Sequence, residues 1–255
     1  MTDAHSYKDL LAELCEDPNV TGVLLAGSRA KGMEHDGSDT DAYIIFENNT
    51  RANYMEKFKK ETNKNYASLL VDLSNRSIQT LKEFEAFAEF GSEYGWDRYN
   101  IIRSKIEIDK TKGKLRKILE QKKKLSASER EMVLHQHFGD YLTHSYRLVR
   151  GTMDNHKVGT MLDSADVISH LLWTYFALHD RVRPYNKYLE WELDNFPIKG
   201  MKWSGKTFVM MMVKIARQSD VQATKEIYKE IARLAKKQSS DHFIKAWGGK
   251  LETML

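Results

Sequence analysis

A single cysteine, Cys15, serves the whole 255-residue chain. A lone thiol excludes an intramolecular disulfide and any metal cluster built on several thiolates. No apolar run approaches the length needed to cross a bilayer. The opening residues, Met1-Thr2-Asp3-Ala4-His5, lack the basic-then-apolar profile of a secretory signal. A cytoplasmic protein is therefore the expectation, with no membrane partner. Internal repeats and low-complexity segments are also missing. Nor is there a strong excess of either charge: 40 Lys and Arg face 36 Asp and Glu, a net +4. That mild basicity suits a pocket for a polyphosphate but does not demand nucleic acid, which it disfavours as a partner. The one dense basic cluster, Lys122-Lys123-Lys124 beside Lys114, Arg116 and Lys117, reads as a solvated helix end.

What is present is a soluble composition, 41% hydrophobic and 30% charged, long enough for one large domain or two ordinary ones. Residues 20–46, VTGVLLAGSRAKGMEHDGSDTDAYIIF, organise the reading. The run Val23-Leu24-Leu25-Ala26 is short enough for a buried strand and stops at Gly27-Ser28. A helix-compatible segment, Arg29-Ala30-Lys31, follows. After a polar loop, Ser38-Asp39-Thr40-Asp41 leads into a second apolar strand, 42–46. Residues i and i+2 of a strand share a face, so the carboxylates of Asp39 and Asp41 converge. Two convergent carboxylates call for a cation. Oxygen-only ligation suits Mg²⁺, which is held by one or two carboxylates together with substrate phosphates. Gly27 lets the backbone approach a phosphate closely, and the start of the next helix directs N–H groups toward an anion.

The pair Gly27-Ser28, a gap of nine residues, and Ser38-Asp39-Thr40-Asp41 before a hydrophobic strand resembles the signature of the DNA polymerase β-like nucleotidyltransferase superfamily. Within it the chain is most similar to the antibiotic (aminoglycoside and lincosamide) nucleotidyltransferases. The resemblance implies transfer of a nucleoside monophosphate from an NTP, with ATP favoured, to a hydroxyl of a small molecule such as an aminoglycoside. Gly27, Ser28, Arg29 and Ser38 would then bind nucleotide, and Asp39 and Asp41 would hold Mg²⁺. The resemblance leaves two alternatives: transfer to a protein or tRNA, and a regulator that binds nucleotide without turnover. Monomer and homodimer both remain open.

The rest of the chain suggests a mixed-sheet α/β domain over residues 1–112 and an all-α helical bundle, the acceptor-binding domain, over 113–255. Helices are expected at 3–16, 51–63 and 81–90, and strands at 65–73 and within 100–109. Asp72 sits among apolar residues, where an unpaired carboxylate is costly. It resembles the third acidic position of the family, a third metal ligand, and reads alternatively as a cap on the following segment. Beyond residue 113 the expected helices are a long one opened by a Ser126–Glu129 capping box, an apolar one at 162–179, and others at 208–217 and 224–237. Met210-Met211-Met212 reads as core filler.

A general base is expected from the helical region. Asp140 lies in the helix resembling the one that carries a catalytic Glu in kanamycin-type enzymes, although direct alignment puts Gly139 opposite that Glu. Asp163 and Asp166 are alternatives. Lys187, in Arg-Pro-Tyr-Asn-Lys, resembles the family segment that brings a basic residue to the triphosphate. Glu190, Glu192 and Asp194 could face a cationic acceptor. Two further patterns read as ordinary surface: His137, Asp140 and His144 on one helix face, which could ligate zinc, and Arg150 with His156, spaced as in a ribonuclease motif.

Overall fold

The computed structural model describes residues 7–47, 71–72, 78–89 and 95–255. It divides into two compact units, Met1–Lys123 and Lys124–Leu255.

The first unit is built on a mixed sheet. Strand β1 (Val20–Leu25) lies between β2 (Thr40–Phe46) and β5 (Lys105–Asp109) and is antiparallel to both. Two short strands, β3 (Val71–Asp72) and β4 (Ile78–Thr80), run parallel to β2 along its other side. Both faces of the central strands are covered, which is why β1 and β2 read as continuous apolar runs rather than as alternation. One face puts Leu24, Tyr43 and Ile45 against Phe84, Ile101, Leu115 and Ile118. The other puts Val23, Ile44 and Phe46 against Leu10 and Leu14. The period of two along each strand thus supplies two cores from one sequence.

Helix α1 (Tyr7–Glu16) carries the leucines of the second core. Helices α2 (Leu81–Ala86), α3 (Arg98–Ile102) and α4 (Lys114–Lys122) serve the first. A capping box between Thr80 and Glu83 starts α2. Helix α4 comes so close to β1 that a Cβ on Gly22 would meet the Leu115 side chain at 2.6 Å. The strand expected within 100–109 occupies only its second half, where alternation begins at Lys105. The apolar residues before it form α3, burying Tyr99, Ile101 and Ile102. The helix expected at 51–63 lies outside the described residues, and of the strand expected at 65–73 only Val71–Asp72 lies within them.

In the second unit two long helices, α5 (Ala127–Met153) and α6 (Lys157–Ala177), form a hairpin whose turn places Asn155 at φ 60°, a left-handed conformation that Asn tolerates. The Ser126–Glu129 capping box is present. Helix α6 begins five residues earlier than its apolar periodicity suggests, because His156 and Lys157 continue straight out of the turn. The chain then adds α7 (Leu189–Asn195), α8 (Gly205–Gln218), α9 (Val221–Lys237) and α10 (His242–Lys245). Of the three consecutive methionines, Met211 and Met212 are buried while Met210 is exposed. Glu192 is fully buried and ion-paired with Arg181. That pairing removes it from any acceptor-facing surface, and the alternating polar pattern of α7 did not reveal it.

Two histidines of this unit are held neutral. His137 and His179 are each lowered from the usual 6.5 to about 4, chiefly by burial. His170 and Arg183 reinforce the shift at His137, where Asp140 opposes it. Arg181, Arg233 and Lys237 reinforce it at His179, where Glu230 opposes it. Unfolded imidazoles take up protons below about pH 6.5, whereas these do so only near 4, so in that window the unfolded state binds more protons. Stability is therefore complete above the upper value and declines as pH falls toward the lower one. The melting temperature of the chain should drop across this window, and His137→Gln with His179→Gln should flatten the drop. A slope unchanged in the double variant would contradict the assignment.

Candidate active site

Strand β1 is tied to β2 at its C-terminal end by Ala26 N–H donating to the Asp41 carbonyl at 2.8 Å. The chain then turns sharply. Gly27 has φ +62°, and the single-turn 3-10 helix Arg29–Lys31 ends on a second left-handed glycine, Gly32. Main-chain bonds from Ala30 to Ala26 and from Lys31 and Met33 to Ser28 close the bend. A Cβ on Gly27 would lie 1.8 Å from Asp41 Oδ2. The Asp41 carboxylate therefore occupies the space that any other residue type at 27 would fill. Glycine is required here twice over, for its φ and for this approach.

Three further side chains lock the loop. Lys31 is buried, with Nζ donating to the Gly27 carbonyl at 2.9 Å and standing 5.5 Å from the Tyr99 ring centre. Arg29 donates from Nε to the Asp39 carbonyl at 3.1 Å and from its terminal nitrogen to the Ser38 carbonyl at 2.9 Å. Buried Ser38 accepts the His35 N–H at Oγ and returns its own N–H to the His35 carbonyl. Arg29 and Ser38 thus fasten the bend to the mouth of β2. The structure engages Lys31 inside the turn, and Arg29, expected to bind nucleotide, on main-chain carbonyls. Basic residues two apart on a short turn carry no signal for this.

At the mouth of β2, Thr40 is buried while Asp39 is exposed and Asp41 half-buried. The two carboxylates flank an inward threonine. The parallel register of β2 and β3 pairs Asp41 with Asp72, and neighbouring strands lie about 4.8 Å apart. Backbone topology thus sets the third acidic position level with the second; the Asp72 side chain itself lies outside the described residues. Gly27, Ser28, Asp39 and Asp41 are brought together by one pair of strands. An all-oxygen donor set beside a glycine-opened backbone fits a hard divalent cation. Among the described residues no three His, Cys, Asp or Glu side chains gather as a metal site.

The remaining candidates belong to the second unit. Asp140 is exposed on α5, its Oδ2 3.9 Å from His170 Nδ1. Asp163 Oδ1 is 2.8 Å from His144 Nδ1, and Asp166 Oδ2 is 3.7 Å from the same nitrogen. Lys187 sits on the 3-10 turn Asn186–Tyr188, its Nζ 4.7 Å from the Tyr188 ring centre. His137 and His144 do not converge on a zinc position with Asp140. Instead His170 stands between them, 3.2 Å from His137 by their Nδ1 atoms and stacked on His144. Trp173 stacks on His137, and Arg183 lies over Trp173. This row of rings went unnoticed in the sequence. Its signal is that Asp163, Asp166 and His170 repeat on α6 the i, i+3, i+7 spacing of His137, Asp140 and His144 on α5.

Residues 7–125 match the family model described as a nucleotidyltransferase domain. The match spans the described sheet, the Gly27 bend and the Asp39–Asp41 doublet. A search of curated proteins returns no match to the chain.

Gly27→Ala tests the apposition. The added methyl must displace the Asp41 carboxylate and adopt a left-handed φ, so unfolding free energy should fall by about 1–3 kcal/mol. Urea denaturation measures it, and a loss within about 0.5 kcal/mol, the range of ordinary surface changes, would contradict the crowding.

Proposed function

We propose, starting from the nucleotidyltransferase domain at residues 7–125, that the protein transfers a nucleoside monophosphate from an NTP, ATP first, to a hydroxyl of a small acceptor. An aminoglycoside-type polyol is the acceptor class that the resemblance to antibiotic-modifying enzymes favours. The observation carrying this reading is the Gly27–Asp41 apposition, which sets the glycine bend directly against the Asp41 carboxylate, two residues after Asp39.

The reaction joins the acceptor oxygen to the α-phosphorus of the NTP and breaks the bond to the β-phosphate bridging oxygen, releasing pyrophosphate. Gly27 and Ser28 would offer main-chain contact to the triphosphate at the start of the short helix that follows the bend. Asp39, Asp41 and Asp72 would hold Mg²⁺. When bound, such a cation neutralises charge on the phosphates and acidifies a coordinated hydroxyl. Asp140 is the proposed acceptor of the hydroxyl proton, with Asp163 or Asp166 able to take that role. Lys187 would add charge toward the triphosphate. Arg29 keeps the doublet in place through the Ser38 and Asp39 carbonyls, a positioning role.

Asp39→Asn and Asp41→Asn should each abolish transfer, read as pyrophosphate release and product mass over a panel of hydroxylated acceptors with ATP, GTP and UTP. Their melting temperatures should stay at or above that of the unsubstituted protein, since repulsion is relieved. Substantial turnover in either variant would remove that residue from the site. EDTA should silence transfer and added Mg²⁺ restore it; activity indifferent to chelation would overturn the carboxylate reading. Asp140→Asn should slow turnover about 10²-fold or more if Asp140 takes the proton, while an unchanged rate would pass the role to another group.

A further inference from the structure

Charge along this chain is distributed very unevenly. Residues 103–124 contain ten Lys and Arg against three Asp and Glu, an excess of seven in a chain whose own excess is four. The fold gathers this stretch into β5, the edge strand of the described sheet, and α4 beside it. As a bare sequence the lysine run reads as a solvated helix end. The structure adds a concave feature to it. Lys105, Ser104 and Ile106 from β5 and its approach, with Arg116, Glu120 and Lys123 from α4 and its end, line a pocket of about 290 Å³.

Local pairing leaves much of this charge uncompensated. Lys105 meets Glu107 at 3.0 Å and Lys123 meets Glu120 at 2.5 Å. Lys122 is buried and consumed by Glu89 and by the Glu85 and Phe87 carbonyls. Arg116, Lys112, Lys114 and Lys117 are exposed and have no side-chain partner among the described residues. Helix α4 buries Leu115, Ile118, Leu119 and Lys122, so Lys114, Arg116 and Lys117 all fall on its outward side. No aromatic side chain lines the pocket, so nothing there offers a stacking surface for a base.

We infer that the β5–α4 face is a docking surface for a nucleic acid, gripped through its phosphodiester backbone. One phosphate enters the pocket between Lys105, Arg116 and Lys123, and neighbouring phosphates lie along Lys112, Lys114 and Lys117. A single phosphorylated side chain would fill the pocket but leave the outer lysines unused, whereas a repeating polyanion engages both. Contacts confined to phosphate confer affinity without base preference. The inference needs no nucleotidyl transfer and stands or falls separately from it.

The test uses the full chain without NTP and a fluorescein-labelled single-stranded RNA of about 20 nucleotides, followed by anisotropy. One phosphate in the pocket and three along the outer lysines predict a log–log salt slope near about −2.8, so affinity should fall about 50-fold between about 50 and 200 mM salt. Arg116→Glu with Lys123→Glu should weaken binding at least about tenfold and flatten that slope by about 0.7, the share of the one pocket phosphate. Arg116→Gln with Lys105→Gln, which adds no repulsion, should weaken it in the same direction. Circular dichroism melts establish that each variant is folded. Lys229→Glu, a single charge reversal on the exposed side of α9, should leave binding near the starting value. Absence of saturable binding at the lower salt, or equal weakening by Lys229→Glu, would overturn the proposal and leave the lysines as guards of an edge strand. Full displacement by inorganic phosphate at a concentration equal to that of the RNA phosphates would overturn it in favour of a free-phosphate pocket.

Discussion

The contact between the Gly27 backbone and the Asp41 carboxylate governs the first unit. It exists because β1 and β2 are antiparallel neighbours in a register that pairs Leu25 with Ala42. The end of one strand thereby meets the beginning of the other. Everything near it serves that meeting. Lys31 fills the inside of the bend, Arg29 ties the bend to the two carbonyls before Thr40, and Ser38 holds the loop's return. The two cores on either face of the sheet fix the strands beneath. A site made of main chain and short carboxylates has few degrees of freedom left, and such preorganisation is what charge-stabilising chemistry requires.

Much of this was legible before any coordinates. Gly27-Ser28 and Ser38-Asp39-Thr40-Asp41 announce themselves because each ends or begins an apolar run, and strand geometry puts alternate residues on one face. Asp72 stands out in the sequence as a carboxylate among apolar residues, and the β2–β3 register pairs its backbone with Asp41. What could not be read depended on contacts across long sequence separations. Buried Glu192 looks like any acid on a polar helix until Arg181 is beside it. Lys31 looks solvent-exposed until the bend closes over it. The short helix α3 was hidden because its buried residues run directly into the alternation of β5, and periodicity cannot mark a boundary between two buried elements.

The helical unit illustrates the same limit. Its helices follow from caps and periodicity, yet its most distinctive feature, three imidazoles in a row between α5 and α6, arises from two separate i, i+3, i+7 patterns meeting in antiparallel. Burial keeps His137 neutral there. The basic β5–α4 face makes the opposite point: its charge is plain in the sequence, but only the pairing of an edge strand with a helix makes it concave.

The central claim is that the bend and the carboxylate doublet form one cation–nucleotide site. Manganese binding followed by electron paramagnetic resonance, in the presence of a non-hydrolysable NTP analogue, probes it without requiring the acceptor. Saturable Mn²⁺ uptake that is lost on replacing Asp41 with Asn, and lost again when Gly27 gains a methyl group, is what the account predicts. Undiminished uptake in both variants would contradict it.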